Sequence, residues 1–151
     1  MKFYKTLEKY KNKDIDIYVD MDGVLAEYDI GNFDYNTIRP LQSNIKRIKD
    51  LINNNINIKI LTICKNNKII EEKKEWIKKH MSFFDLNNVI FISKEEEKYK
   101  DIPSKILKNN YLKENINSNH INILIDDDNE IIKYIIKNNN IIVFQVSSWI
   151  D

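Results

Sequence analysis

Two short runs of acids set the chemistry that this chain can do. Asp20-Met21-Asp22-Gly23 and Asp126-Asp127-Asp128 each end an apolar, β-branched stretch, and Thr62 ends a third such stretch. Five carboxylates in two short loops are costly to hold together unless a cation neutralises them. Hard oxygen ligands around a small site suit Mg²⁺. Residues i and i+2 leaving a strand can point to one side, so Asp20 and Asp22 can face one substrate, while Gly23 permits the sharp turn that follows. An acid after a strand also serves to cap the next helix, and for Asp22 or Asp128 alone that role would suffice. Two acidic clusters at the ends of two apolar strands ask for more.

These residues gain weight from their background. The chain has 151 residues, of which 29 are Ile, 22 Lys and 22 Asn, all read from A/T-rich codons, so runs of lysine or asparagine carry little information. Gly23 is one of two glycines and Ala26 the one alanine, and both fall in the segment that begins at Asp20. Two glycines cannot build a G-x-G-x-x-G turn or a Gly-rich phosphate loop. A single cysteine, Cys64, excludes a disulfide framework and a Cys-rich zinc site and fits a reducing, cytoplasmic setting. No apolar run is long enough to span a bilayer, and the first residues lack a signal-peptide apolar region. A net charge of +1 gives no global attraction to nucleic acid or membrane.

The acids must be positioned by the elements around them. Apolar, β-branched runs at Ile15 to Asp20, Asn57 to Ile63, Asn88 to Ile92, Ile121 to Ile125 and Ile141 to Val146 predict five strands. Between them lie helical segments: one that starts at Arg39-Pro40, then Glu71 to His80, Ile102 to Leu112, and Asn129 to Lys137. Met1 to Asp14 fits either a short helix or an edge strand. Strand alternating with helix predicts an α/β fold, a mostly parallel sheet covered on both faces, as one domain over residues 1–151. Ligands of such a sheet bind at the carboxyl ends of its strands, where both acid runs fall.

The segment YVDMDGVLA, Tyr18 to Ala26, resembles the first motif of the haloacid dehalogenase superfamily of phosphotransferases, a strand ending in D-x-D-G-(T/V). KILT, Lys59 to Thr62, is similar to the second motif, and ILIDDD, Ile123 to Asp128, to the fourth. The resemblance implies a Rossmannoid three-layer α/β/α sandwich. It implies that Asp20 is a nucleophile forming an aspartyl-phosphate, Asp22 the general acid and then base, and Thr62 a phosphoryl-binding hydroxyl. Asp20, Asp126 and Asp127, with the backbone carbonyl of Asp22, would hold Mg²⁺. The family's third motif is a Lys or Arg without fixed spacing before the fourth. Lys94, Lys98, Lys100 and Lys105 all qualify by position, and YKDIPSKIL, Tyr99 to Leu107, resembles the Asp-x-x-x-Lys segment of polynucleotide kinase 3′-phosphatase domains. On a helix Asp101 and Lys105 would share a face, so Lys105 is the first choice and Lys100 the second.

The C-terminal FQVSSWID resembles that same subfamily, while D-M-D-G-V-L-A is shared with deoxyribonucleotidases. Neither match is complete. The Arg that follows the second motif in the polynucleotide phosphatases is replaced here by Cys64-Lys65, and the nucleotidases' helical cap has room only for a short flap at Glu27 to Thr37. The implied activity is a Mg²⁺-dependent phosphomonoesterase whose partner is a phosphorylated small molecule, a nucleotide or a polynucleotide 3′ end. Tyr28, Phe33 and Tyr35 on the flap would stack on a base or pack over the sheet edge. The alternative is a catalytically weak relative that binds Mg²⁺ and a phosphorylated ligand or protein. A receiver-like fold is disfavoured because its phosphorylated Asp follows the third strand, which here ends in Ser93-Lys94. His80 and His120 lack a carboxylate or i+4 partner in the sequence and read as structural or solvent-exposed. Trp76 reads as packing, and Cys64 as buried behind the site.

Overall fold

A computed structural model describes residues 2–149. Its elements alternate as expected: α1 (Lys2–Lys9), β1 (Ile15–Val19), α2 (Gln42–Asn53), β2 (Asn57–Cys64), α3 (Asn67–His80), β3 (Val89–Ser93), α4 (Ser104–Asn115), β4 (Ile121–Asp126), α5 (Asn129–Asn138) and β5 (Ile142–Gln145), with short 3₁₀ turns at Leu86–Asn88 and Val146–Trp149. The N-terminal segment is a helix, which decides between the two readings of it. All four strand pairs are parallel, in the order β3-β2-β1-β4-β5. Parallel strands need crossover helices, and here these fall on the two faces.

Side-chain alternation along the strands divides the core. Ile17, Val19, Ile60, Ile123 and Ile125 pack with Phe3 of α1, Ile45 and Ile48 of α2, and Trp76 and Ile77 of α3. Tyr18, Leu61 and Leu124 point the other way, against Leu107 and Leu112 of α4 and Ile131 and Ile135 of α5. The result is the expected three-layer α/β/α sandwich, with isoleucine-rich strands buried on both faces. Trp76 does pack its helix on the sheet, and its Nε1–H donates to Ile38 O (3.0 Å), holding the base of the flap. Phe3 meets Phe144 and Trp149 edge to face, closing α1 over the end of β5.

The strand order has one reversal. From β1 the chain moves outward to β2 and β3, then returns to β4 beside β1. In an open parallel sheet, the loops at such a point diverge to the two faces and leave a crevice at the carboxyl ends. Those ends are Asp20 to Gly23 and Asp126 to Asp128, so the pairing of β1 with β4 brings the two acid runs side by side. His120 departs from expectation: its Nδ1–H donates to Asp16 Oδ2 (2.8 Å), a carboxylate partner far away in sequence that parallel pairing of β1 with β4 brings near. No helix among the described residues is long and apolar enough to cross a membrane.

Candidate active site

The turn after β1 is built by Met21, whose carbonyl accepts from the amides of Val24 (3.2 Å), Leu25 (2.8 Å) and Ala26 (3.0 Å). Gly23 sits in this turn at φ +79°, where an L side chain is strained, and a Cβ there would run into the Asp127 carboxylate. The glycine therefore serves both the turn and the close approach of the second acid loop. Leu25 O accepts from Leu41 N (2.8 Å), and the buried Asn44 amide donates to Val24 O (2.8 Å), fixing the turn to the start of α2.

Asp20, Asp126 and Asp127 each offer an oxygen, all within 4.8 Å of one another. Asp126 is fully buried at the end of β4. Its Oδ1 accepts from Asp128 N (3.0 Å), while Asp128 itself turns away and caps α5 by accepting from Glu130 N (2.8 Å) and Ile131 N (3.3 Å). Asp128 thus has the capping role and Asp22 does not. Burial pushes the Asp20 carboxyl up to about 8; Lys108 opposes this and Asp126 adds to it. Burial also raises Asp127, against the hydrogen bonding with Asp20.

The cation at this cluster is Lys108. Its Nζ donates to Asp20 Oδ1 (2.9 Å) and Asp126 Oδ2 (2.7 Å), and the side chain is 2% exposed. Burial acts to lower this ammonium, and the two carboxylates outweigh it, so it stays well above the ordinary lysine range. Lys105, the residue expected here, lies elsewhere. It sits in the first turn of α4 and pairs with Glu130 Oε1 of α5 (2.8 Å), while Lys100 and Asp101 are exposed on the loop before the helix. The lysine that meets the acids is Lys108, one turn further along the same helix, where the inner face of α4 meets the strand ends.

A second buried lysine, also unforeseen, serves the other side of the site. Lys73 of α3 is 2% exposed, and its Nζ reaches Asp22 Oδ2 (2.9 Å), Thr62 Oγ1 (2.7 Å) and Ile63 O (3.1 Å). Thr62 lies inside β2, which runs on to Cys64, and is fully buried. The other Asp22 oxygen, Oδ1, accepts from the Tyr35 hydroxyl (2.6 Å). Burial first, and then the Asp22 charge, push the Tyr35 phenol well above its usual range, so it stays a donor. Cys64 is buried behind this group as expected, its thiol raised by burial against the pull of Lys73.

One signal in the sequence marks both lysines. Lys73 sits in register with Ile69, Trp76 and Ile77, and Lys108 lies four residues before Leu112, so each occupies a position on an apolar helix stripe. Of the lysines in the described chain these two alone are buried. A lysine so placed must find an anion or lose its charge.

The site opens on a cleft of about 410 Å³ lined by Asp20, Asp22, Tyr28, Lys108, Asp127 and Ile131, among others, with neither Thr62 nor Lys105 on its wall. Four carboxylates, Asp20, Asp22, Asp126 and Asp127, face two ammonium groups there. That surplus of hard oxygen donors, with three able to converge on one point, fits a divalent cation such as Mg²⁺ held by Asp20, Asp126 and Asp127.

No family model matches this sequence, and no curated protein matches it. Among solved structures, it is similar to a chain in a structure of the Pnkp1/Rnl/Hen1 complex, with a TM-score of 0.66 and 17% identity over 88% of this chain and 46% of that one. A chain in a structure of the Pnkp1/Rnl/Hen1 RNA repair complex gives a TM-score of 0.63 and 16% identity over 89% and 42%. The likeness is one of fold. The present chain spans less than half the length of either.

Proposed function

We propose that the chain is a Mg²⁺-dependent phosphomonoesterase working through an aspartyl-phosphate on Asp20, and that its substrate is the phosphorylated end of a polynucleotide or a nucleotide. The observation that carries this reading is the bridge of Lys108 between Asp20, which lines the cleft, and the fully buried Asp126 behind it. An ammonium fixed there lies beside the point where an equatorial phosphoryl oxygen would gather charge, and it holds the Asp20 carboxylate in one orientation.

In the first step the Asp20 oxygen that is not bonded to Lys108 attacks phosphorus, the bond from phosphorus to the leaving oxygen breaks, and Asp22 gives that oxygen its proton. In the second, water attacks the aspartyl-phosphate, Asp22 takes the water proton, and phosphate leaves with Asp20 restored. Thr62, buried and bonded to Lys73, fixes the ammonium that faces Asp22. Mg²⁺, when bound by Asp20, Asp126 and Asp127, would neutralise charge on the transferring group.

Three features support a nucleotide or polynucleotide end. The flap leaves the cleft open, and it presents Tyr28 (64% exposed) and Phe33 (65% exposed) as flat surfaces on which bases can stack. Lys65 lies over the Phe33 ring, 5.7 Å from its centroid, as a cation for a neighbouring phosphate. One of the similar solved chains belongs to the Pnkp1/Rnl/Hen1 RNA repair complex.

The test is phosphate release with Mg²⁺ from 4-nitrophenyl phosphate, nucleoside 3′- and 5′-monophosphates, 3′-phosphorylated oligonucleotides and a phosphosugar. Wild-type protein is expected to turn over the aryl ester, with the Asp20→Asn variant at least roughly a thousandfold slower. Turnover no faster than that variant would overturn the phosphatase reading; equal rates on nucleotides and a phosphosugar would overturn the substrate class.

A further inference from the structure

The Asp22 carboxylate is held on both oxygens, and the two donors come from different parts of the molecule. Lys73, on Oδ2, belongs to a helix anchored by Trp76 and Ile77 in the core. Tyr35, on Oδ1, belongs to the flap, where Tyr28, Ile30 and Phe33 are exposed and the Asn32 amide donates to Thr37 Oγ1 (2.9 Å). The Tyr35 ring also covers the Lys73 ammonium, which lies 5.7 Å from its centroid. One flap residue therefore touches both members of the Asp22–Lys73 pair.

Resting on the phosphatase reading above, we infer that Tyr35 is a positioning residue that locks the Asp22 carboxyl towards the leaving oxygen whenever the flap lies over the cleft. The geometry allows no other flap contact to do this: among the described residues, Tyr35 makes the one side-chain hydrogen bond from the flap to an acid of the site. With Oδ1 released, Lys73 alone holds Oδ2, and the carboxyl can swing about that contact. The ring contact acts in the same sense, since it keeps water from the ammonium and so strengthens its grip on Asp22. The flap's aromatic face and its latch lie on one short segment, so a substrate that orders the flap by stacking also orders the acid. Substrate recognition at the flap is thereby coupled to proton delivery.

The consequence is a dependence on the leaving group. A 4-nitrophenolate leaves without help, whereas an alkoxide, like the sugar oxygen of a nucleotide, needs the proton from Asp22. Values of kcat/KM report the steps up to phosphoryl transfer and leave out hydrolysis of the aspartyl-phosphate, which is common to all substrates. Losing one hydrogen bond that positions the acid is worth about a factor of ten, so Tyr35→Phe is expected to lower kcat/KM about tenfold on an alkyl phosphate and less than twofold on 4-nitrophenyl phosphate. The ratio of the two rates does not depend on the fraction of folded protein, so a destabilised variant still answers the question. Tyr35→Ala, which removes the ring as well, should shift the ratio in the same direction and further. An unchanged ratio in both variants would overturn the positioning role and leave the phosphatase reading standing. Absence of turnover by wild-type protein on both esters would instead remove the reading on which it rests.

Discussion

Asp16 and Asp20 lie four residues apart on the same strand segment, each is 8% exposed, and they do opposite things. Asp16, near the amino end of β1, has both oxygens satisfied by hydrogen-bond donors: the Asn57 amide on Oδ1 (3.1 Å) and His120 Nδ1–H on Oδ2 (2.8 Å). The parallel registers place Asn57 and Asn122 beside it on both neighbouring strands, a row of neutral amides across the sheet. Asp20, at the carboxyl end, sits among three further carboxylates and opens on the cleft. Exposure to solvent is equal in the two places, so exposure does not distinguish them. The difference is charge balance. At the amino edge Asp16 has the donors it needs, whereas the carboxyl edge gathers more anions than its two lysines neutralise and so keeps a demand for a cation.

That contrast can be tested by removing its parts. The largest effect is expected from chelation: EDTA should bring phosphate release down to the level of the Asp20→Asn variant, and added Mg²⁺ should restore it. Mg²⁺ should also raise the melting temperature of wild-type protein, an increase that Asp126→Asn loses and Asp16→Asn keeps. A Mg²⁺-induced shift retained in Asp126→Asn would place the cation elsewhere. Next comes Lys108→Met, which leaves Asp20 and Asp126 without their ammonium; kcat should fall by roughly a hundredfold or more. Activity within a few-fold of wild type would show that the bridge has no part in the reaction.

At the other edge, Asp16→Ala should cost stability and not chemistry. Stranding the Asn57 and His120 donors is worth about 2 kcal/mol. A melting temperature lower by roughly 5 °C with kcat unchanged is the expected outcome for a domain of this size. A large loss of kcat without loss of stability would mean that the amino edge communicates with the site. The smallest effect belongs to Lys105→Met. Its ion pair with Glu130 is at the surface, where such pairs contribute little, and the rate should change less than twofold. A loss as large as that of Lys108→Met would show that Lys105 serves the site despite its surface ion pair.

The strands were legible because buried parallel strands must be continuous apolar runs, and the acids stood out because they interrupt those runs at one end. The lysines were harder to read. With 22 in the chain, position before the second acid run does not single one out, and the resemblance of the segment Tyr99 to Leu107 pointed to Lys105. Asking which lysine falls on an apolar stripe would have found Lys73 and Lys108, because only a lysine with a buried anion to meet is tolerated there. The Tyr35 contact left no such trace. A tyrosine in a polar flap has no period to violate, and its partner lies across the turn from it.

By itself, the sequence determined the alternation of strands and helices, the position of each acid at a strand end, and the glycine that the turn after β1 requires, since all of these follow from local pattern and backbone sterics. Tertiary structure decided the rest. The return of the chain to place β4 beside β1 brings Asp126 and Asp127 to Asp20, and the packing of α3 and α4 on opposite faces delivers one ammonium to each side of the acids. Those pairings join residues far apart in the chain, and no local propensity specifies them; they are fixed by the cost of burying a charge without its partner.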